Sequence, residues 1–259
     1  MTKTRIALIG GTGLENLIKK TESFRIRTPY GFSPSITRGI MANCNVVFLP
    51  RHGSKHEVPP HKINYRADMW SLKKIGVERV ISTNAVGAIN EKYKPGDLVI
   101  PSDIIDFTRS RITTFHDEAP VVHIDVTSPY CPQVSELLCS SAKKTGHRYW
   151  NGSVLAATEG PRFETPAEIR MMRNMGCDIV GMTGSPEVFL ARELEMCYAT
   201  ICFASNMAAG MQNRLTLEEV MATAKKTLPV LREVIEDLIS TIPNERECQC
   251  SRALEHAKL

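Results

Sequence analysis

The residues best suited to chemistry lie in short turns that follow apolar runs. In the first turn, Gly10, Gly11 and Gly13 lack the Cβ atoms that keep an anion away from backbone N–H groups, and Thr12 adds a hydroxyl donor. Asn16 stands where a dinucleotide fingerprint needs its third glycine, and no Gly-Lys-Ser/Thr follows as in a P-loop. The segment predicts a phosphate-binding turn, with an ordinary strand-to-loop turn as the alternative.

A second turn is basic. Arg51 offers a planar pair of donors for phosphate oxygens, and His52 adds a donor beside it. His52, His56 and His61 also raise the possibility of a metal site, but two prolines interrupt them and no carboxylate partner stands out. We therefore expect no metal here, and a solvated basic loop remains the alternative to phosphate binding.

Three further segments carry polar or aromatic groups at predicted strand ends. Asn84 follows an apolar run among small residues that leave backbone N–H groups accessible. Phe163 and Glu164 suit a flat polar ring, because one can stack on its face and the other can accept from its edge. Met182 and Thr183 precede a predicted helix. In open α/β sheets, binding sites gather at such strand ends.

The elements that must position these turns alternate along the chain. After a first strand at 6–9, the patterns predict strands at 46–49, 80–83, 98–101, 153–158, 178–182 and 198–205. Helices are predicted over 64–74, 132–144, 165–176 and 185–195, and a long amphipathic helix, kinked at Pro229, starts at 216. This order predicts one α/β domain over residues 1–245, with a central mixed, largely parallel sheet flanked by helices.

Composition excludes several classes of protein. The 259 residues carry a net charge of +4, with 42% hydrophobic and 23% charged residues, as in ordinary globular proteins. No lysine- or arginine-rich run suggests nucleic-acid binding, and no apolar stretch approaches the about 20 residues of a membrane helix. The N-terminus resembles no signal peptide, so we expect a cytoplasmic protein.

The eight cysteines form no C-x-x-C pair, and most have apolar neighbours, which indicates buried thiols in a reducing compartment. Cys248 and Cys250 form a C-x-C near the end of the chain. A disulfide or metal role is one interpretation, and a flexible tail over 246–259 is the one we favour. The final Ala-Lys-Leu only loosely resembles a peroxisomal address.

Taken together, the motifs resemble the trimeric purine nucleoside phosphorylase and methylthioadenosine phosphorylase family from about residue 5 to about residue 240. The segments that carry the resemblance are Gly-Gly-Thr-Gly-Leu at 10–14, Arg-His-Gly at 51–53, Asn-Tyr at 64–65, Asn-Ala-Val-Gly at 84–87, Pro-Gly-Asp at 95–97, Glu-Gly-Pro-Arg-Phe-Glu at 159–164 and Gly-Met-Thr-Gly-Ser-Pro-Glu at 181–187.

The resemblance implies a phosphorylase-like fold and a purine-salvage enzyme, a pentosyltransferase that cleaves a nucleoside with orthophosphate. No cofactor is implied, since phosphate is a co-substrate. Phe163 and Met182 would contact base and ribose, and His123 would reach into the neighbouring subunit's site of a homotrimer. The implied phosphate ligands are Thr12, Arg51, His52, Ala85 and Thr183, with Asn84 close by.

Two positions bear on the substrate. Adenine-cleaving members of the family carry Asp-x-Asp where this chain has Asn206 and Ala208. A carboxamide can donate to the O6 of a 6-oxopurine and accept the N7 proton, while Glu164 accepts from N1–H. We therefore expect hypoxanthine rather than adenine as the leaving base, with Asn206 and Glu164 as the catalytic residues.

At the sugar end, Leu217 occupies the place where the family offers a histidine to a 5′-hydroxyl, and Val220 follows one turn later. An apolar pocket favours a 5′-methylthio group, although Leu217 could simply be the first core residue of its helix. Together these features resemble the bacterial branch that cleaves S-methyl-5′-thioinosine. An inosine and guanosine phosphorylase, a methylthioadenosine phosphorylase, a hydrolase that uses water, and a non-catalytic nucleoside-binding protein remain alternatives.

Overall fold

The computed structural model describes residues 5–11 and 18–257. In this part of the chain, eleven strands and five α-helices follow one another. The strands are β1 (Ile6–Gly10), β2 (Lys19–Phe24), β3 (Arg27–Thr28), β4 (Gly31–Phe32), β5 (Ile36–Met41), β6 (Cys44–Pro50), β7 (Arg79–Ala88), β8 (Leu98–Asp106), β9 (Tyr149–Ala157), β10 (Ile179–Gly181) and β11 (Cys197–Met207). The helices are α1 (Tyr65–Lys74), α2 (Pro132–Lys144), α3 (Pro166–Asn174), α4 (Glu187–Glu193) and α5 (Leu217–Thr241).

Nine strands form one mixed sheet in the order β10-β9-β8-β11-β7-β1-β6-β5-β2. The strands around β1 are parallel, because β1 pairs with β6 and β7 in parallel and β7 pairs in parallel with β11. Strand β10 also pairs with β7 in antiparallel fashion, so five strands, β7 to β11, close into a ring. The ring brings the ends of β7, β10 and β11 together.

Helices cover both faces of the sheet. On one face, Leu138 of α2 and Leu238 of α5 belong to a core with strand residues such as Leu98. On the other face, Leu72 of α1 and Leu190 of α4 are fully buried in a second core. Each fully buried leucine stabilises the fold by about 1.5–3 kcal/mol, so the strand ends rest on a well-packed scaffold.

The predicted strands and helices are present, and the single α/β fold with a mixed sheet is confirmed. Thr165 caps α3 in a reciprocal capping box with Glu168. At the start of α5, the Thr216 hydroxyl likewise accepts from the Glu219 N–H, but the Glu219 carboxylate accepts from Gln212 and completes no capping box. None of the helices within residues 5–11 and 18–257 could cross a membrane.

The C-terminal segment differs from the free tail that the sequence suggests. Residues 249–252 form a short 3-10 helix in which Cys250 is buried. Arg246 donates to the carbonyl of Glu195, and the carbonyl of Ala257 accepts from the N–H of His123. The segment therefore packs on the body: Cys250, Ala253 and Ala257 are buried, and Cys248 packs against the core that includes Cys250.

Candidate active site

One large cavity opens where the strands end. It has a volume of about 1390 Å³ and is lined by residues at the carboxyl ends of β6, β7, β10 and β11, by Gly11 after β1, and by the first turns of α5. Strand ends expose backbone N–H groups and side chains that the sheet itself does not use, which is why sites form there.

Most of the predicted site residues line this cavity: Arg51, His52, Asn84, Ala85, Phe163, Glu164, Met182, Thr183, Asn206, Ala208 and Leu217. Thr12 lies outside the described residues. His123 does not line the cavity of its own chain. It is exposed on the loop between β8 and α2.

Arg51 lies at the end of β6 and is 3% exposed. Its guanidinium forms a two-pronged ion pair with Glu187, whose Oε2 lies 3.0 Å from Nη2. The same group donates to the hydroxyl of Ser82 at 2.6 Å and to the carbonyl of Thr83 at 3.0 Å. Tyr198 donates to Glu187 at 2.7 Å. The guanidinium is therefore held rigidly, with one Nη1 donor left for a ligand.

The electrostatics of the pair favour the charged forms. Burial opposes ionisation of the Arg51 guanidinium, but the charge of Glu187 outweighs it, and the pKa of Arg51 is raised. Burial likewise acts to raise the pKa of Glu187, but the charge and hydrogen bonds of Arg51 hold that pKa below its ordinary value. Arg51 thus lines the cavity as the permanently charged member of an ion pair with Glu187.

His52 is neutral at physiological pH. Burial and the neighbouring charge of Arg51 lower the pKa of His52 to about 4. Its Nδ1 lies 2.9 Å from the carbonyl oxygen of Val58. Because a carbonyl only accepts, Nδ1 carries the proton and Nε2 is left as an acceptor. The Nε2 atom of His52 can accept a hydrogen bond from the O–H group of a protonated phosphate. The sequence suggests instead that His52 is a donor.

Asn84 and Thr183 meet across the ring of strands. The Thr183 hydroxyl donates to Oδ1 of Asn84 at 2.7 Å, and the Asn84 amide donates to the hydroxyl of Thr200 at 2.8 Å. All three side chains are buried. These bonds fix two polar groups, 99 residues apart in sequence, beside Ala85 at the cavity wall.

Asn206 stands near the end of β11, next to a shift in the register of its pairing with β7. Its Nδ2 donates to the carbonyl of Met207 at 2.8 Å, and its Oδ1 accepts from the hydroxyl of Ser205. Because the Met207 carbonyl can only accept a hydrogen bond, the Asn206 atom that faces it must be Nδ2, and this fixes the orientation of the side-chain amide. One N–H and one oxygen lone pair of Asn206 remain for a ligand.

Glu164 and Phe163 form another part of the wall. The Glu164 carboxylate accepts from the hydroxyl of Thr158 at 2.7 Å, and Phe163 is 43% exposed. Gly160 packs against Met182 with a positive φ of 64°, and a Cβ there would lie 2.7 Å from the Met182 sulfur. The positive φ and the close Met182 side chain both favour glycine at this position.

The start of α5 supplies an apolar side of the cavity. Leu217, Val220 and Met221 line it, and Leu217 is 69% exposed. Leu217 is therefore not the core residue that the alternative interpretation proposed. An exposed leucine at the rim of a cavity offers contact area to an apolar ligand group.

Sequence reasoning missed two residues that hold the site together. Glu187 belongs to a recognised motif, but nothing in the sequence pairs it with Arg51, 136 residues away. Arg111 lies in the loop between β8 and α2, yet its side chain is 2% exposed. It donates to the carbonyls of Thr158, Glu159, Met182 and Ser185 at 2.6 to 3.1 Å and thereby ties the two loops that follow β9 and β10 together.

Comparison with known proteins identifies the family. The model of the phosphorylase superfamily matches residues 5–240. The chain belongs to this superfamily. Residues 241–259, including the C-x-C motif, lie outside the match.

Relatives match over nearly their whole length. A probable S-methyl-5′-thioinosine phosphorylase of Methanopyrus kandleri is 49% identical, with 99% of this chain and 100% of that protein covered. A 6-oxopurine nucleoside phosphorylase of Pyrococcus furiosus is 48% identical over 98% of both chains. The crystal structure of a methylthioadenosine phosphorylase from an Antarctic soil metagenomic library superposes with a TM-score of 0.94 at 32% identity, covering 100% of this chain and 93% of that one.

Proposed function

We propose that the protein catalyses the phosphorolysis of a 6-oxopurine nucleoside, with S-methyl-5′-thioinosine as the preferred substrate. The products are hypoxanthine and 5-methylthioribose 1-phosphate. The class of reaction, a pentosyl transfer from a purine to phosphate, rests on the family and on relatives with these activities. The observation that supports the choice of base is the Asn206 amide in the cavity wall.

The phosphate binds, in this proposal, at the end where Arg51, His52 and Thr183 line the cavity. Arg51 supplies a permanent charge and a free donor. His52 accepts from a protonated phosphate oxygen through Nε2. Such a fixed arrangement needs little reorganisation when positive charge develops on the ribose, and the bound phosphate then stabilises that charge and attacks C1′.

The base binds between Phe163, Glu164 and Asn206. As the glycosidic bond breaks, negative charge moves onto the purine. The free N–H of Asn206 donates to O6, its free lone pair accepts from a proton on N7, and Glu164 accepts from N1–H. Adenine, with an amino group at C6 and no proton on N1, mispairs with both side chains, at a cost of about 1–3 kcal/mol for each buried group.

The sugar end distinguishes methylthioinosine from inosine. Leu217, Val220 and Met221 offer an apolar surface and no hydrogen-bond donor to a 5′-substituent. A methylthio group buries apolar area there, whereas a hydroxyl loses hydrogen bonds to water. A general 6-oxopurine nucleoside phosphorylase is the second candidate, because a relative of nearly equal identity has that name.

We also propose a cytoplasmic homotrimer in which His123 of each subunit completes a neighbour's site. The exposed position of the His123 loop, outside the cavity of its own chain, supports this arrangement.

A panel of five nucleosides tests the proposal: methylthioinosine, methylthioadenosine, inosine, guanosine and adenosine, each assayed with and without phosphate. We expect hypoxanthine from methylthioinosine only when phosphate is present, at the highest kcat/KM of the panel. Release of base without phosphate would indicate a hydrolase, and binding without any turnover would indicate a nucleoside-binding protein. A higher kcat/KM for inosine would favour the second candidate.

A further inference from the structure

The sulfur atoms of four cysteines form one cluster, and none of the four residues lines the cavity. Cys131 precedes α2, Cys197 begins β11, and Cys248 and Cys250 flank the start of the C-terminal 3-10 helix. All four Sγ atoms lie within 4.8 Å of one another. We propose that this cluster is a structural zinc site with four thiolate ligands.

The geometry fits such a site. A zinc–sulfur bond of about 2.3 Å places the corners of a tetrahedron about 3.8 Å apart. The Sγ atoms of Cys197 and Cys248 lie 3.4 Å apart, which is close to that value and well beyond a disulfide bond of about 2.05 Å. A small outward movement of the two side chains would admit the ion at the centre of the cluster.

The donor set points to the metal. The group contains four thiols and no imidazole or carboxylate. Thiolates favour zinc and other thiophilic ions over magnesium, calcium or manganese. Four protein ligands fill the tetrahedral shell and leave no position for water or substrate, so the site has a structural role rather than a catalytic one.

The surroundings compensate for the negative charge of a zinc tetrathiolate. Nη1 of Arg192 lies 3.8 Å from the sulfur of Cys250. Cys131 is the N-cap residue of the 13-residue helix α2, and the positive end of the helix dipole favours a thiolate there. Cys131, Cys197 and Cys250 are each at most 3% exposed, so water cannot easily replace these interactions.

The proposed ion would join three distant parts of the chain. It would fasten the C-terminal segment to α2 and β11, which explains how a segment beyond the family match packs on the body. In the same segment, the carbonyl of Ala257 accepts a hydrogen bond from the backbone N–H of His123 at 2.8 Å. Zinc would thus also order the loop that carries His123.

The test uses the full-length protein, purified with a phosphine reductant and without chelator. We expect about one zinc ion per chain by elemental analysis. Replacing zinc with cobalt(II) should produce the intense visible bands of a tetrahedral thiolate complex. Cys248→Ser and Cys250→Ser should each weaken metal binding at least about tenfold, whereas Cys177→Ser, at another buried cysteine outside the cluster, should retain the metal and the spectrum.

Two results would overturn the proposal. One is reduced wild-type protein that takes up neither zinc nor cobalt, a measurement that needs no variant to fold. The other is a thiol count on the unfolded, unreduced protein that finds four of the eight cysteines oxidised, with the cluster cysteines paired in disulfides.

Discussion

Glu187 carries a charge in the protein interior because Arg51 lies against it. Both side chains are 2% exposed, and Tyr198, Ser82 and Thr83 occupy most of their remaining hydrogen-bonding groups. A buried ion pair is weak evidence of net stabilisation, but removing one partner leaves an uncompensated charge. The pair is therefore best tested by breaking it.

We expect Glu187→Gln to lower the free energy of unfolding by about 3–5 kcal/mol, because the Arg51 charge would remain buried without its counter-ion. Urea denaturation measures the change. The control is Glu236→Gln, which removes an exposed pair with Arg232 and should cost less than about 1 kcal/mol. Equal losses in the two variants would contradict the role assigned to Glu187.

The same pair predicts a pH dependence. The pKa of Glu187 lies below its ordinary value of 4.5, so the folded state holds the proton less tightly than the unfolded state does. The stability that the charged carboxylate contributes is fully present above pH 4.5 and is lost as the pH falls through the lowered folded pKa. The difference in stability between the wild type and Glu187→Gln should therefore shrink below pH 4.5, and a constant difference would contradict this account.

At the scale of elements, the strands with continuous apolar runs could be predicted from the sequence, since burial on both faces leaves that pattern. Strand β2 could not, because its sequence Lys-Lys-Thr-Glu-Ser-Phe is polar and its first five residues are exposed. It exists because its backbone pairs with β5 at the edge of the sheet. Local patterns carry no information about such pairing.

The candidate site was predictable to a similar degree. Its turns carry glycine, arginine and asparagine in recognisable motifs, and the parallel strands bring their ends together. The partners that fix those side chains were not predictable. Arg111 lies in a loop without periodicity, and four of its hydrogen bonds go to backbone carbonyls, which every residue has.

In the proposed function, Leu217 at the start of α5 contacts the 5′-substituent, to which a histidine at this position would offer a hydrogen bond. We expect Leu217→His to shift the ratio of kcat/KM for inosine over methylthioinosine upward by about tenfold, which corresponds to about 1.4 kcal/mol. The matched control is Leu217→Ala, which removes the apolar contact without adding a donor and should lower methylthioinosine turnover only. Equal loss on both substrates in Leu217→His would contradict the assignment of this end of the cavity.

At the scale of the whole molecule, the proposed trimer predicts complementation between subunits. His123→Ala and Asn206→Ala should each have little activity as homotrimers. Mixed trimers, unfolded and refolded together, should regain part of the activity, because some sites would combine an intact Asn206 with an intact His123 from the neighbour. Complementation of this kind cannot occur if both residues serve the site of their own chain, so mixtures no more active than their components would exclude the arrangement.

The central claim is that the carboxamide of Asn206 forms hydrogen bonds with a 6-oxopurine leaving group. The most direct test compares kcat/KM for methylthioinosine and methylthioadenosine, at saturating phosphate, in the wild type and in Asn206→Asp, with the exposed Asn151→Asp as control. We predict that the wild type and the control favour methylthioinosine and that Asn206→Asp lowers this preference by about ten- to hundredfold, the effect of one mispaired buried group. An unchanged preference in Asn206→Asp would contradict the account.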